Sequence, residues 1–276
     1  MNKRPIPSTG EQLPVIGCGT WENFDVGAGE TERKQLRDVL RTMFGSGGSV
    51  IDSSPMYGQA EEVVGDLLTG ENWHEKAFVA TKVWTQGREA GIRQMQRSLD
   101  LLRRERVDLM QVHNLVDWKT HLKTLRDWKS EGRVRYLGVT HYTSGAHREL
   151  EAVMRSEKPD FVQLNYSLGE REAEKRLLPL AADLGMAVIV NLPLEAGRAL
   201  RSLGNKDLPV WASEFECKTW AQVLLKFVLS NRAVTCAIPE TGNPKHMAEN
   251  CVAGSGDFFS SEQCEELRRF SDARRG

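Results

Sequence analysis

The chain has 276 residues, long enough for one large domain or two ordinary ones. Its 37 Lys and Arg balance 38 Asp and Glu, a net charge of −1, which argues against the basic surface that nucleic acid or an anionic membrane requires. Hydrophobic residues make up 40%, enough for a core, but the longest apolar runs are short pieces such as Ala187-Val188-Ile189-Val190, so no membrane span is expected.

Short β-branched runs alternate with longer helical patterns from the first residues on. The expected strands are Val15–Gly19, Ser49–Asp52, Phe78–Lys82, Leu109–His113, Tyr136–Thr140, Phe161–Asn165, Ala187–Asn191 and Val234–Ile238. Between them, apolar residues recur at helical spacing over Glu32–Phe44, with Leu36, Val39, Leu40 and Met43 on one face, and over Arg93–Leu102, His121–Ser130 and Trp220–Leu229. A further helix follows at Ala60–Leu68. Glycines mark the joints from helix to strand at Gly45-Ser46-Gly47-Gly48, Gly132 and Gly185. A last helix over Glu262–Arg274 leaves little tail to cover a site, so an open one is expected.

Eight such units predict an α/β fold of the (β/α)8, or TIM, barrel type, a single domain over residues 1–276. The rival is a doubly wound open sheet. It lacks its phosphate fingerprint, because Gly17-Cys18-Gly19-Thr20-Trp21-Glu22 has no third glycine and leads into no helix. The N-terminal Met-Asn-Lys-Arg-Pro-Ile-Pro has no apolar signal region. Five scattered cysteines without a Cys-x-x-Cys fit free thiols in a reducing compartment, so a cytoplasmic location is expected.

A barrel gathers its active groups at the carboxyl ends of its strands. Those ends supply Asp52 with Tyr57, Lys82, His113, Thr140 with His141, Gln163 with Asn165, Asn191, and Glu240 with Thr241. There is no His-x-His to suggest a metal, and no metal is expected. Each residue has an ordinary reading when taken alone: Asp52 as a helix cap, Tyr57 as a loop residue, His113 as a hydrogen-bonded core histidine. Together they describe a phenol whose pKa an ammonium lowers, a carboxylate that keeps the ammonium charged, and an imidazole that orients a carbonyl. Such a set protonates an oxygen while hydride arrives from elsewhere. No side chain donates hydride, so a nicotinamide cofactor is implied.

Asp52-Ser53-Ser54-Pro55-Met56-Tyr57-Gly58, Thr81-Lys82-Val83-Trp84, Val112-His113-Asn114 and Ile238-Pro239, with Thr241, Pro244, Glu249 and Asn250 after it, together resemble the aldo-keto reductase superfamily. The likeness runs in register from about Leu13 to Asn250. It implies reversible reduction of a small aldehyde or ketone by NADP(H) or NAD(H). Tyr57 would be the general acid, Lys82 and Asp52 its pKa-lowering relay, and His113 the group that orients the carbonyl. The other reading is a relative that binds cofactor but turns over negligibly.

The resemblance also places Gly19, Thr20, Thr140, His141, Gln163, Asn191, Leu192, Leu194, Arg198, Glu240, Thr241, His246, Glu249 and Asn250 at the cofactor. Four positions depart from the family's pattern. His141 stands where Asn is usual, Asn191 where many members stack an aromatic on the nicotinamide, and Glu240 with His246 where NADP-preferring members carry Lys and Arg. A carboxylate repels a 2′-phosphate and accepts hydrogen bonds from a free ribose. Arg198 or Lys245 would be the compensating cation. Trp21 and Trp84 are expected to wall the substrate pocket, with core packing as the alternative.

Overall fold

The structure is a computed structural model that describes residues 1–204 and 206–273. A two-stranded antiparallel hairpin opens it, β1 (Lys3–Pro5) against β2 (Gln12–Pro14). Eight parallel strands follow: β3 (Cys18–Gly19), β4 (Val50–Asp52), β5 (Phe78–Val83), β6 (Val107–Val112), β7 (Val134–His141), β8 (Phe161–Asn165), β9 (Ala187–Asn191) and β10 (Cys236–Ala237). They pair in sequence order, and parallel bridges from Ile16 to Ala237 and from Gly19 to Glu240 join the first to the last. The sheet is therefore a closed barrel, and the fold is the expected (β/α)8 barrel in one domain.

Around it lie α1 (Glu30–Gly45), α2 (Ala60–Gly70), α3 (Arg88–Leu101), α4 (Trp118–Ser130), α5 (His147–Glu157), α6 (Leu177–Leu184), α7 (Arg198–Leu203), α8 (Trp220–Ser230), α9 (Pro244–Ala253) and α10 (Ser261–Asp272). The predicted stripe of α1 is the buried one: Leu36, Val39, Leu40 and Met43. Local chemistry fixes several ends. Capping boxes start α8 (Thr219 with Gln222) and α10 (Ser260 with Gln263), while Asn243 caps α9 with Pro244 in its first turn. Among the predicted joints, Gly47, Gly132 and Gly185 have positive φ.

Expectation and structure differ at the two ends of the sheet. The strands expected over Val15–Gly19 and Val234–Ile238 shorten to two residues each, because the barrel closes there through single bridges beside Pro239. The hairpin was not expected: strands of three residues containing Pro5 and Pro14 carry almost no pattern. Arg4 holds it in place, donating to the carbonyls of Leu229, Asn231 and Val234. The last helix begins at Ser261 and is described to Asp272; the expected end at Arg274 lies outside the described residues.

Two apolar layers result. One lies between strands and helices and includes Val63, Val79, Val112, Leu164, Val188 and Leu225. The other fills the lower lumen with Val50, Phe78, Leu109, Tyr136, Phe161, Ile189 and Ile238, and the hairpin adds Ile6 and Leu13 beneath it. Each such side chain, fully buried, contributes about 1.5–3 kcal/mol. Among the described residues, no helix is long and apolar enough to cross a membrane.

Candidate active site

Side chains alternate along a strand, so the residues above the lumen core also face inward. Val50 is followed by Asp52, Phe78 and Ala80 by Lys82, Leu109 by Gln111, Phe161 by Gln163, and Ile189 by Asn191. The lumen is thus apolar below and polar above. Lys82 is fully buried and donates to Asp52 Oδ2 at 2.5 Å and to the Ser53 carbonyl at 2.7 Å. Asp52 Oδ1 accepts from Gln163 Nε2 at 2.9 Å and from Gln111 Nε2 at 3.1 Å. Burial works against the Lys82 ammonium, yet the charges of Asp52 and Tyr57 and their hydrogen bonds raise its pKa overall. The lysine is charged.

Tyr57 is half-buried in the loop after β4, with its backbone N–H on the Ser54 carbonyl at 3.0 Å. Gly58 follows at φ +57, and a Cβ there would meet the Asp25 carboxylate at 2.1 Å. That carboxylate accepts from the Gln59 N–H at 2.9 Å, so glycine is required for the loop to turn where it does. Lys82 Nζ lies 5.0 Å from the centre of the Tyr57 ring, and the ring of His113 stands edge-on to it at 5.9 Å. His113 Nδ1 pairs with Ser54 Oγ at 3.0 Å. Burial first, then Lys82 and His141, push the His113 pKa down to about 2. The imidazole is neutral, and a Ser54 hydroxyl donating to Nδ1 leaves the proton on Nε2.

The expected lowering of the Tyr57 pKa by Lys82 is present, but it is outweighed. Burial raises its pKa more than the charge and hydrogen bond of Lys82 lower it, and Asp52 and Glu240 add to the rise. Lys82 opposes the shift without reversing it. The phenol is therefore held protonated.

The residues expected at the cofactor divide into groups. Leu192, Leu194, Glu240, Thr241, His246, Glu249 and Asn250 line one cavity of about 350 Å³ between β9, β10 and α9, with Glu22 and Asn23 opposite. Gly19 borders it through Glu240, whose Cγ would lie 2.9 Å from a Cβ at Gly19. Burial, then Asp52 and Glu22, push the Glu240 carboxyl up to about 7. Thr20 spends its hydroxyl on the Asp52 carbonyl and Ser53 Oγ, both at 3.0 Å. Thr140 Oγ1 donates to Gln163 Oε1 at 3.3 Å, so both ends of that amide are engaged. His141 accepts from the Thr143 N–H and its ring stacks on Tyr142. Asn191 Oδ1 and Asn165 Nδ2 are buried without a partner. Arg198 stands apart from the cavity, paired with Glu195 at 3.3 Å over a separate pocket, and Lys245 is exposed. Trp21 and Trp84, after β3 and β5, are 36% and 42% exposed at the mouth and are not core residues.

Gln111 and Ser54 escaped the sequence reading. Gln111 had a signal, since it lies two residues before His113 and shares its face. Ser54 had none beyond its place in the loop.

The Aldo/keto reductase family model matches residues 15–272. Methylglyoxal reductase YeaE of Escherichia coli (strain K12) is 30% identical over 270 residues, covering 95% of this chain and 93% of its own. NADH-specific methylglyoxal reductase of the same organism is 28% identical over 240 residues, 76% of this chain and 72% of its own. An aldo/keto reductase from Klebsiella pneumoniae, solved in complex with NADP and acetate, aligns with a TM-score of 0.81 at 26% identity, covering 98% of this chain and 96% of that one.

Proposed function

The chain belongs to the aldo/keto reductase family, and on that premise we propose that it reduces a small aldehyde or ketone, with 2-oxoaldehydes such as methylglyoxal the first candidates and Tyr57 as proton donor. The observation that carries the reading is the grouping of Tyr57, Lys82, Asp52 and His113 at one end of the barrel.

A bound nicotinamide supplies the hydride that no side chain has. His113, neutral and fixed by Ser54, presents Nε2–H to the carbonyl oxygen and orients it. Tyr57, protonated, gives its proton to the same oxygen. As negative charge passes to the phenolate, Lys82 lies beside it to stabilise that charge. Asp52, held by two amides, keeps the ammonium in place. The reverse reaction needs the phenolate first, so it is favoured at higher pH.

The cavity supports a dinucleotide by its volume and by Glu240 in its lining, a residue close enough to Asp52 and Tyr57 for its charge to act on both. Its lining carries Glu22, Glu240 and Glu249 against a single histidine. That balance favours an unphosphorylated ribose, hence NADH over NADPH. The deciding experiment is a turnover screen with NADH and NADPH against methylglyoxal, glyoxal and larger aldehydes and ketones. Oxidation of neither cofactor would refute the reading, and a strong preference for NADPH would refute its cofactor half.

A further inference from the structure

Glu61 lies in the first turn of α2, four residues after Tyr57, and is 2% exposed. A carboxyl group at that depth is costly unless partnered. Both its oxygens are: Thr81 Oγ1 donates to Oε1 at 2.5 Å, and Ser98 Oγ on α3 donates to Oε2 at 3.1 Å. One turn later Gly65 lets α2 and α3 meet, because a Cβ there would lie 2.1 Å from the Leu101 carbonyl oxygen. Thr81 immediately precedes Lys82. Alternation along β5 turns Thr81 outward to α2 and Lys82 inward to Asp52. Burial raises the Glu61 pKa against the bonds from Thr81 and Ser98 and the charges of Lys82 and Arg97.

We infer that Glu61 is a positioning residue: by bonding Thr81 it ties the segment carrying Tyr57 to the strand carrying Lys82, and so sets the separation at which the ammonium acts on the phenol. Two short covalent stretches meet at this bond, one from Tyr57 to Glu61 and one from Thr81 to Lys82. Packing alone leaves β5 free to slide against α2 by fractions of an ångström; a hydrogen bond between buried groups does not. The inference rests on the proposed role of Tyr57 as proton donor.

Three variants test it. Thr81→Val removes the hydroxyl at nearly constant shape, Glu61→Ala removes the carboxyl, and Glu61→Gln keeps an acceptor for Thr81. Protein labelled with ¹³Cζ-tyrosine is titrated, the Tyr57 signal being the one missing from Tyr57→Phe. The expected Tyr57 midpoint rises by about one unit in Thr81→Val and Glu61→Ala and stays in place in Glu61→Gln, since a more distant ammonium stabilises phenolate less. In turnover, kcat falls roughly tenfold in the first two variants, with carbonyl KM and cofactor affinity within about twofold of wild type. An unshifted Tyr57 midpoint in folded Thr81→Val overturns the inference, as does a shift in Glu61→Gln equal to that in Glu61→Ala. The titration needs no turnover, so a wild type inert toward carbonyls counts against the functional reading while the midpoints still decide on Glu61.

Discussion

The two halves of the barrel mouth are built differently. On the side of β4, β5 and β6, the buried charges of Asp52 and Lys82 meet each other, and Asp52 also receives two amides. On the side of β9, β10 and α9, Glu240 is half-buried and, among the described residues, has no cation at hydrogen-bonding distance, and Asn191 Oδ1 has no partner. Buried charges that meet each other hold one arrangement, although Oε1 of Gln111 beside them has no partner among the described residues. On the reading proposed above, the first half serves the chemistry and the second receives the cofactor.

The sharpest way to break that contrast is at Tyr57. Tyr57→Phe is expected to lower carbonyl reduction by about 10²–10⁴-fold while cofactor binding, followed by fluorescence, stays unchanged. The wild-type pH profile belongs to the same test. The raised Tyr57 pKa predicts reduction that holds through neutral pH, and alcohol oxidation that climbs as pH rises toward the phenol. The His113 pKa of about 2 predicts no limb near the usual imidazole value.

Lys82→Met strands Asp52 in the lumen facing two amides and no cation. A loss of about 3–5 kcal/mol of stability is expected in denaturant titration, the usual result of unpairing a buried ion pair. Tyr57→Phe should cost far less, which separates a group that holds the site together from one that acts in it.

On the other half, Glu240→Lys is expected to shift the ratio of NADPH to NADH efficiency by about 10–100-fold toward NADPH, since each tenfold is about 1.4 kcal/mol. An unchanged ratio would place the ribose away from Glu240. The smallest effect expected is in stability. The Glu240 carboxyl is raised from its usual 4.5 to about 7, so the folded state holds its proton more tightly than the unfolded state does. That contribution is fully present below 4.5 and is lost as pH rises to about 7. Glu240→Gln should therefore stabilise the protein more at pH 8 than at pH 5, and thermal melts at the two values check the sign.

The same contrast governs what was legible from sequence. The barrel and the tetrad were, because strand ends carry their residues at fixed offsets and strand alternation sets the facing side. Tyr57 and Lys82 needed only a position in the chain to be placed. The net charge balance on Tyr57 was not legible, because burial is a property of the assembled mouth and outweighs the neighbour that motif reasoning emphasises. Arg198 was expected at the cofactor from its place after β9, yet the turn over Glu195–Gly197, with Ala196 at φ 52, directs it to Glu195 instead. Gln163 was expected at the nicotinamide; its engagement with Asp52 and Thr140 was not legible, being a tertiary fact that links strands far apart in sequence.

The hairpin that Arg4 pins across the barrel floor has a further consequence. Ile6 and Leu13 close the lumen from below, Phe78, Tyr136 and Phe161 fill it, and the Tyr136 hydroxyl is tied off by Glu11 and Thr9. Proton traffic to the buried lysine is thereby one-ended. If Tyr57 is the proton donor proposed above, each proton it gives away is replaced through the same mouth by which the carbonyl would enter.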